Sequence, residues 1–322
     1  MLLTAVVLTA CKGKNEAEQP IVEGEGQEIT LCFSIDNTLS LDEHAAGEPS
    51  APMRKLPGDP GKDDFIVPTH LYFAVWVTTG GNKYMKTCHI DNAAWAHVGN
   101  GIYQHGTTYK LKLPSRELTD GMFHVFAYAT SVPMTTTPAF NGTYTEGETI
   151  METTTTLETL RNMTYAIPGD VGTQDAKRDF FRSIYSTALS HNQMATSPTI
   201  RLRHTAARLD INWECDETTH EHGLTPNSTW TLATAAFPTA FSLFKPGENT
   251  GTAAWSETIT INEGNRYNGR YVTYLPMPTT PTFTVTSNRD NLDGASASKT
   301  MELSAGADTN FATWMRALWT IK

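Results

Sequence analysis

The first clear hydrophobic pattern along the chain is an alternation. Ile29, Leu31, Phe33 and Ile35 are separated by Thr30, Cys32 and Ser34 and followed by Asp36. A period of two over residues 28–36 predicts a strand with one face in a core and Cys32 pointing away from it. Residues 71–77, Leu71 to Val77, are apolar on both faces and end shortly before Gly80-Gly81. That pattern predicts a central strand covered on both sides. Further strands are expected at 109–113, 123–129, 200–202, 208–214, 230–233, 241–244, 257–261, 270–275 and 282–286. Helical spacing is rare. It is best in residues 175–190, where Phe180, Phe181, Ile184, Tyr185, Ala188 and Leu189 recur on one side. Residues 310–322 fit both periods, since Phe311, Met315, Trp319 and Ile321 share a parity while Phe311, Trp314, Met315, Leu318 and Trp319 fit a helix.

Many short strands, frequent turns and few helices predict an all-β chain of β-sandwiches. A break in periodicity at Ser190, Asn192, Gln193 and Pro198 sets the expected domain boundary, with an N-terminal sandwich over 28–192 and a C-terminal one over 193–322. Within the first sandwich, residues 37–70 form a long exposed linker holding Pro49, Pro52, Pro57, Pro60, Gly58 and Gly61. Connections of that length without apolar periodicity are normally mobile or functional. Arg54-Lys55 lies inside it, and Arg54 is the only arginine between Cys11 and Arg116.

The N-terminus adds an address to this outline. Leu8-Thr9-Ala10-Cys11 closes an apolar run and reads as a lipobox. Residues 1–11 would then be a signal peptide with its lipid site, cut before Cys11, whose thiol carries the lipid. Fatty acyl chains such as palmitate contribute about 0.8 kcal/mol per buried methylene, so two or three hold a protein to a membrane. Residues 12–27 are polar and acidic and suit a flexible tether. The leader is short and lacks a basic start, so the reading frame is expected to begin further upstream.

The chain has 322 residues, 39% of them hydrophobic, enough for a substantial core. A formal net charge of −10 argues against nucleic acid and anionic membrane surfaces as partners. No other stretch is long and apolar enough to span a bilayer. Of the four cysteines, Cys32, Cys88 and Cys215 remain beside Cys11, without zinc-like spacing. One disulfide among those three is the most that can form, and a bridge from Cys32 to either of the others would retain the first strand.

Signatures of catalysis are missing. There is no GxSxG, HExxH, GxxxxGK[ST] or strand-borne GxGxxG. His220-Glu221-His222 has no third ligand at an obvious spacing and reads as surface, and Asp290 to Gly294 reads as a turn. Trp95, Trp213, Trp230 and Trp255 are expected to serve packing rather than sugar stacking. No enzyme activity, metal or cofactor is expected.

The succession of elements carries a resemblance. The lipobox at Cys11, the acidic tether, the strand at 28–36, the Arg54-bearing linker and the strand at 70–77 follow one another, and Ile200 to Ile211 opens the second half. In this order they resemble the Bacteroidales fimbrillin families, the type V pilins with their anchor and accessory subunits. The resemblance implies two tandem transthyretin-like Greek-key sandwiches, exported as a lipoprotein to the cell outer membrane and surface fimbrium. It also implies maturation by an arginine-specific protease, with Arg54 and Lys55 the candidate site. The strand bearing Ile29, Leu31, Phe33 and Ile35 would then leave and be replaced by one from another fimbrial subunit. Two departures stand out. The linker between the strand and Arg54 is longer than a tight cut requires, and no distinct donor tail follows the last sandwich strand. The rival reading is a monomeric surface lipoprotein that binds a glycan or host protein; a lipid-anchored hydrolase is a remote third.

Overall fold

The computed structural model describes residues 28–37, 66–79, 81–113, 123–191, 199–215, 229–245, 248–264, 268–276, 282–290, 296–302 and 314–321. The chain is an all-β sandwich protein with two helices among those residues. In chain order the first strands are β1 (Glu28–Asp36), β2 (His70–Thr79), β3 (Asn82–Asp91), β4 (Trp95–Gly99), β5 (Ile102–His105), β6 (Tyr109–Lys112) and β7 (Phe123–Thr130). Short strands β8 (Thr136–Thr137), β9 (Glu148–Thr149) and β10 (Met151–Glu152) lead to helix α1 (Leu157–Arg161). Then come β11 (Thr164–Tyr165), helix α2 (Gln174–Arg182), β12 (Tyr185–His191), β13 (Thr199–His204) and β14 (Ala206–Cys215). The chain continues through β15 (Thr229–Ser242), β16 (Thr250–Thr260), β17 (Asn268–Pro276), β18 (Thr282–Asp290), β19 (Ser296–Glu302) and β20 (Trp314–Ile321).

The largest sheet runs β10-β3-β2-β7-β12-β13-β1-β5-β4, and β6 joins it through β1 and β9. It curls, because β1 changes partners along its length. Glu28–Leu31 pair with β6, whereas Cys32–Asp36 pair with β13 and the last three residues also with β5. Inside the curl lies one core, built from the odd positions of β1 and β2 together with Val125 and Ala127 of β7. The opposite face of β2 and β7, with Tyr72, Trp76, Phe126 and Tyr128, belongs to a second core. Residues 71–77 are therefore buried on both faces, as their uniform apolarity predicts.

The second core joins the two halves of the chain. Phe180 and Phe181 of α2 and Leu160 of α1 pack there with Trp230, Leu232, Phe241 and Leu275. A six-stranded sheet, β19-β18-β15-β11-β8 with β16 on β15, also links late strands to the short β11 and β8. A three-stranded sheet, β17-β14-β20, completes the fold. Residues 314–321 form a strand, parallel to β14, which settles the double periodicity of the C-terminal segment.

Three expectations change. Helical residues stop at Arg182, not at 190. Thr173 caps α2 by accepting from the Ala176 amide, and Ser183 closes it with its hydroxyl on the Phe180 carbonyl. From Tyr185 onward the chain pairs with β7 over seven residues, so sheet pairing overrides helical spacing. Thr199–His204, expected to open the second half, hydrogen-bonds between β12 and β1, and Ile200 and Leu202 enter the first core. Finally, β3, β4 and β5 have no counterpart among the predicted strands. In β3, Lys83, Lys86, Thr87 and His89 interrupt any apolar run, and only Cys88 of its residues is buried.

Candidate functional site

The slot occupied by β1 is the feature to which the sequence points most directly. Ile29, Leu31, Phe33 and Ile35 are each 0% exposed. Phe33 packs at 5.0 Å from the Phe73 ring and edge-on to Tyr109 at 5.7 Å. The backbone is held on both sides. Cys32–Asp36 run parallel to Thr199–Arg203, Ser34–Asp36 run antiparallel to Ile102–Gln104, and Glu28–Leu31 run antiparallel to Tyr109–Lys112.

The alternation in β1 gives the inward face correctly, but its other face is also covered. Cys32 is buried, with its Sγ 3.7 Å from Thr108 Oγ1 in the segment before β6. Ser34 is buried too, and its Oγ has no hydrogen-bond partner among the described residues. An unsatisfied buried hydroxyl costs about 1–3 kcal/mol. The strand thus fits its slot by shape and apolar area while carrying one polar mismatch.

A polar pin sits where β1 ends. The Asn37 amide donates to the Gly101 carbonyl at 2.9 Å. Its Oδ1 accepts from the Tyr185 hydroxyl at 3.0 Å and from His204 Nε2 at 2.9 Å. Burial is the main reason the His204 pKa falls to about 3, with the Arg182 charge pushing the same way and Asp36 opposing. Burial also pushes the Tyr185 hydroxyl far up. Both groups are therefore neutral across the ordinary pH range. Ion pairs mark the two ends of β1, Glu28 with Lys110 at 3.5 Å and Asp36 with Arg201 at 3.7 Å. Three of those four side chains are substantially exposed, so these pairs add little.

Cys88 lies in the same core, and burial pushes its thiol up to about 12. It is not bridged to Cys32. A Cys32–Cys88 disulfide therefore does not hold the first strand in place. The side chain of Cys215 lies outside the described residues, as do Cys11, Arg54, Lys55 and the 220–222 motif. Of the tryptophans, Trp230 is buried in the second core, Trp255 stacks on Phe237 at 4.9 Å, and Trp95 donates to the Pro68 carbonyl at 2.8 Å. Packing is the use the structure gives to these three.

Sequence reasoning missed two groups. Asn37, Tyr185 and His204 come from three separated segments, and nothing in their spacing announces the pin. His70, His89 and Asp91 gather at the open end of the β2–β3 hairpin. Here a signal existed. The pairing of Thr79 with Asn82 leaves a two-residue loop, and counting outward places His70 opposite Asp91 and Tyr72 opposite His89.

No model of a protein family matches the chain, and no curated protein matches it. Several solved structures are similar to it. A candidate adhesin from Bacteroides ovatus shares 13% identity at a TM-score of 0.45, covering 92% of this chain and 88% of that one. A fimbrial assembly protein from Parabacteroides distasonis shares 11% identity at a TM-score of 0.44, covering 91% and 90%. A candidate cell adhesion protein from Bacteroides uniformis shares 13% identity at a TM-score of 0.37, covering 94% of each chain.

Proposed function

We propose that this chain is a structural subunit of a bacterial surface fimbria whose first strand is a temporary occupant of its sandwich. In this reading Cys11 carries the lipid that holds the exported precursor at the outer membrane. An arginine-specific protease cuts at Arg54, β1 leaves, and a strand from a neighbouring subunit takes its place between β13, β5 and β6. The assembled fimbria contributes to adhesion.

The observation that carries the reading is the slot. A single N-terminal strand supplies four fully buried side chains to the first core and hydrogen-bonds to three other strands. Burying Ile29, Leu31, Phe33 and Ile35 is worth about 1.5–3 kcal/mol each, hence roughly 6–12 kcal/mol together as an upper bound. Loss of β1 would expose a long apolar groove with unpaired backbone on its walls, which favours pairing with any suitable strand. The linker between β1 and β2 makes the cut possible without breaking any other described strand. Ser34 adds to this, because a replacement strand with an apolar residue at that position would bind better than the resident one.

The test is to treat the purified chain with an arginine-specific protease and follow its mass and assembly. Cleavage at Arg54, loss of the fragment ending there, and ladders of detergent-resistant oligomers are expected. A nicked monomer that keeps its N-terminal fragment would refute exchange and favour a binding role for the isolated sandwich protein. Separately, Cys11→Ala should abolish incorporation of labelled palmitate in cells; unchanged labelling would remove the anchor from the reading.

A further inference from the structure

The open end of the β2–β3 hairpin brings together three metal-ligating atoms. His70 Nδ1 lies 2.9 Å from Asp91 Oδ1, His89 Nε2 lies 3.1 Å from the same oxygen, and the two nitrogens are 3.2 Å apart. Without an ion, neutral imidazoles can satisfy this triangle by both donating to the one carboxylate oxygen. The same three atoms are also close enough together to share a single cation. A cation on the axis of the triangle accepts all three lone pairs at once.

We propose that His70, His89 and Asp91 form a binding site for one divalent transition-metal ion of the zinc class. The donor separations fit such an ion. Bonds of about 2.0–2.1 Å to nitrogen and oxygen set neighbouring donors about 3.3–3.4 Å apart around a tetrahedral ion, and about 2.9 Å apart on one face of an octahedral one. Two imidazoles and one carboxylate suit zinc and its neighbours; calcium and magnesium take oxygen-only sets.

The site is held by rigid elements. His70 and Asp91 face each other across the hairpin, and His89 faces Tyr72. The His89 ring stacks on Tyr72 at 4.0 Å and 6°, and Tyr72 stacks in turn on Tyr128 at 4.5 Å and 11°. The His89 amide donates to the Gly142 carbonyl at 2.8 Å, and Tyr72 accepts at its hydroxyl from the Met134 amide. Packing and second-shell hydrogen bonds of this kind hold ligands near productive geometry before the ion arrives. The histidine side chains are 14% and 24% exposed, whereas Asp91 is 64% exposed. Water or a donor from another molecule can therefore complete the coordination from the Asp91 side. An ion there would tie the start of β2, where the long linker ends, to the end of β3.

The test uses the full chain, stripped with a chelator and titrated with zinc chloride by calorimetry, alongside Asp91→Ala, His70→Gln and the double variant His220→Ala/His222→Ala. One zinc per chain is expected for the unaltered protein, with a zinc-dependent rise in melting temperature that a chelator reverses. Affinity should fall at least 10-fold in Asp91→Ala and in His70→Gln and stay unchanged in the double variant. Circular dichroism checks the fold of each, and Asp91→Ala, at the most exposed position, stands as the test should His70→Gln fail to fold. No zinc uptake, affinity unchanged in Asp91→Ala, or loss of binding only in the 220/222 variant would overturn the proposal.

Discussion

The two faces of β2 and β7 support cores of different construction. The inner face is closed by β1 together with residues of β6, β12 and β13. The outer face is closed by α1, α2 and strands from the second half, and polar contacts reinforce it. Gln174 donates to the Tyr271 hydroxyl at 2.7 Å, Tyr271 donates to Glu257 at 2.6 Å, and Thr273 donates to the other Glu257 oxygen at 3.1 Å. One core thus includes a strand remote in sequence from its neighbours on β13, and the other is stitched by polar contacts between α2, β16 and β17. One sheet can thus close two cores with walls of different construction, because its two faces are filled by different elements.

The largest effects should come from emptying either core. Phe33→Ala and Phe241→Ala are each expected to cost about 3–5 kcal/mol in urea unfolding. The comparison sharpens after protease treatment and release of β1. The Phe33 substitution should then become silent, whereas the Phe241 substitution should keep its full cost. Equal residual costs would mean that β1 never leaves.

Removing the pin comes next. Asn37→Ala removes the acceptor that His204 Nε2 and the Tyr185 hydroxyl share, at about 1–3 kcal/mol for the buried imidazole donor that loses it. Hydrogen exchange should report it at β1 and β13 and leave β15 unchanged. Protection lost equally in both cores would contradict their filling by different elements.

Acidity should move the two regions in opposite directions. The folded pKa of His204, about 3, lies below its unfolded value near 6.5, so between them the unfolded chain binds the extra proton. Stability from this group is complete above about 6.5 and declines by about 1.4 kcal/mol per pH unit as pH falls toward 3. For Glu257 the sign reverses. Burial raises its pKa above 4.5 against the lowering effect of Tyr271 and Thr273, so the folded chain holds the proton longer. Its contribution is most favourable below about 4.5 and is lost as pH rises through the folded value. Unfolding curves of His204→Gln and Glu257→Gln against pH should each flatten the corresponding arm.

The smallest effect is a gain. Ser34→Ala removes the unpartnered hydroxyl and should stabilise the chain by about 1 kcal/mol, slowing release of β1 after cleavage. Faster release would show that the hydroxyl has a partner in solution.

Unbroken apolarity in 71–77 was legible because it reports burial on both faces, whereas the alternation in residues 29–35 gave the inward face of β1 but not the cover over Cys32 and Ser34. The slot itself was half legible: the inward side chains of β1 could be read, but its neighbours on β13, β5 and β6 are set by contacts remote in sequence. The helix over residues 175–190 was read too long because Tyr185 and Leu189 continue its spacing while β7 offers them a ladder. The hairpin site escaped because β3 is too polar to announce itself, although the Gly80-Gly81 pair gave the register that assembles it.

The parallel run of β1 beside β13 also has a mechanical consequence. Tension applied at residue 28 and opposed at the far end of β13 would act along the strand axis, across the rungs joining the two strands. Such loading shears the rungs together instead of peeling them one after another, so a subunit pulled from its leading end resists rupture as a block.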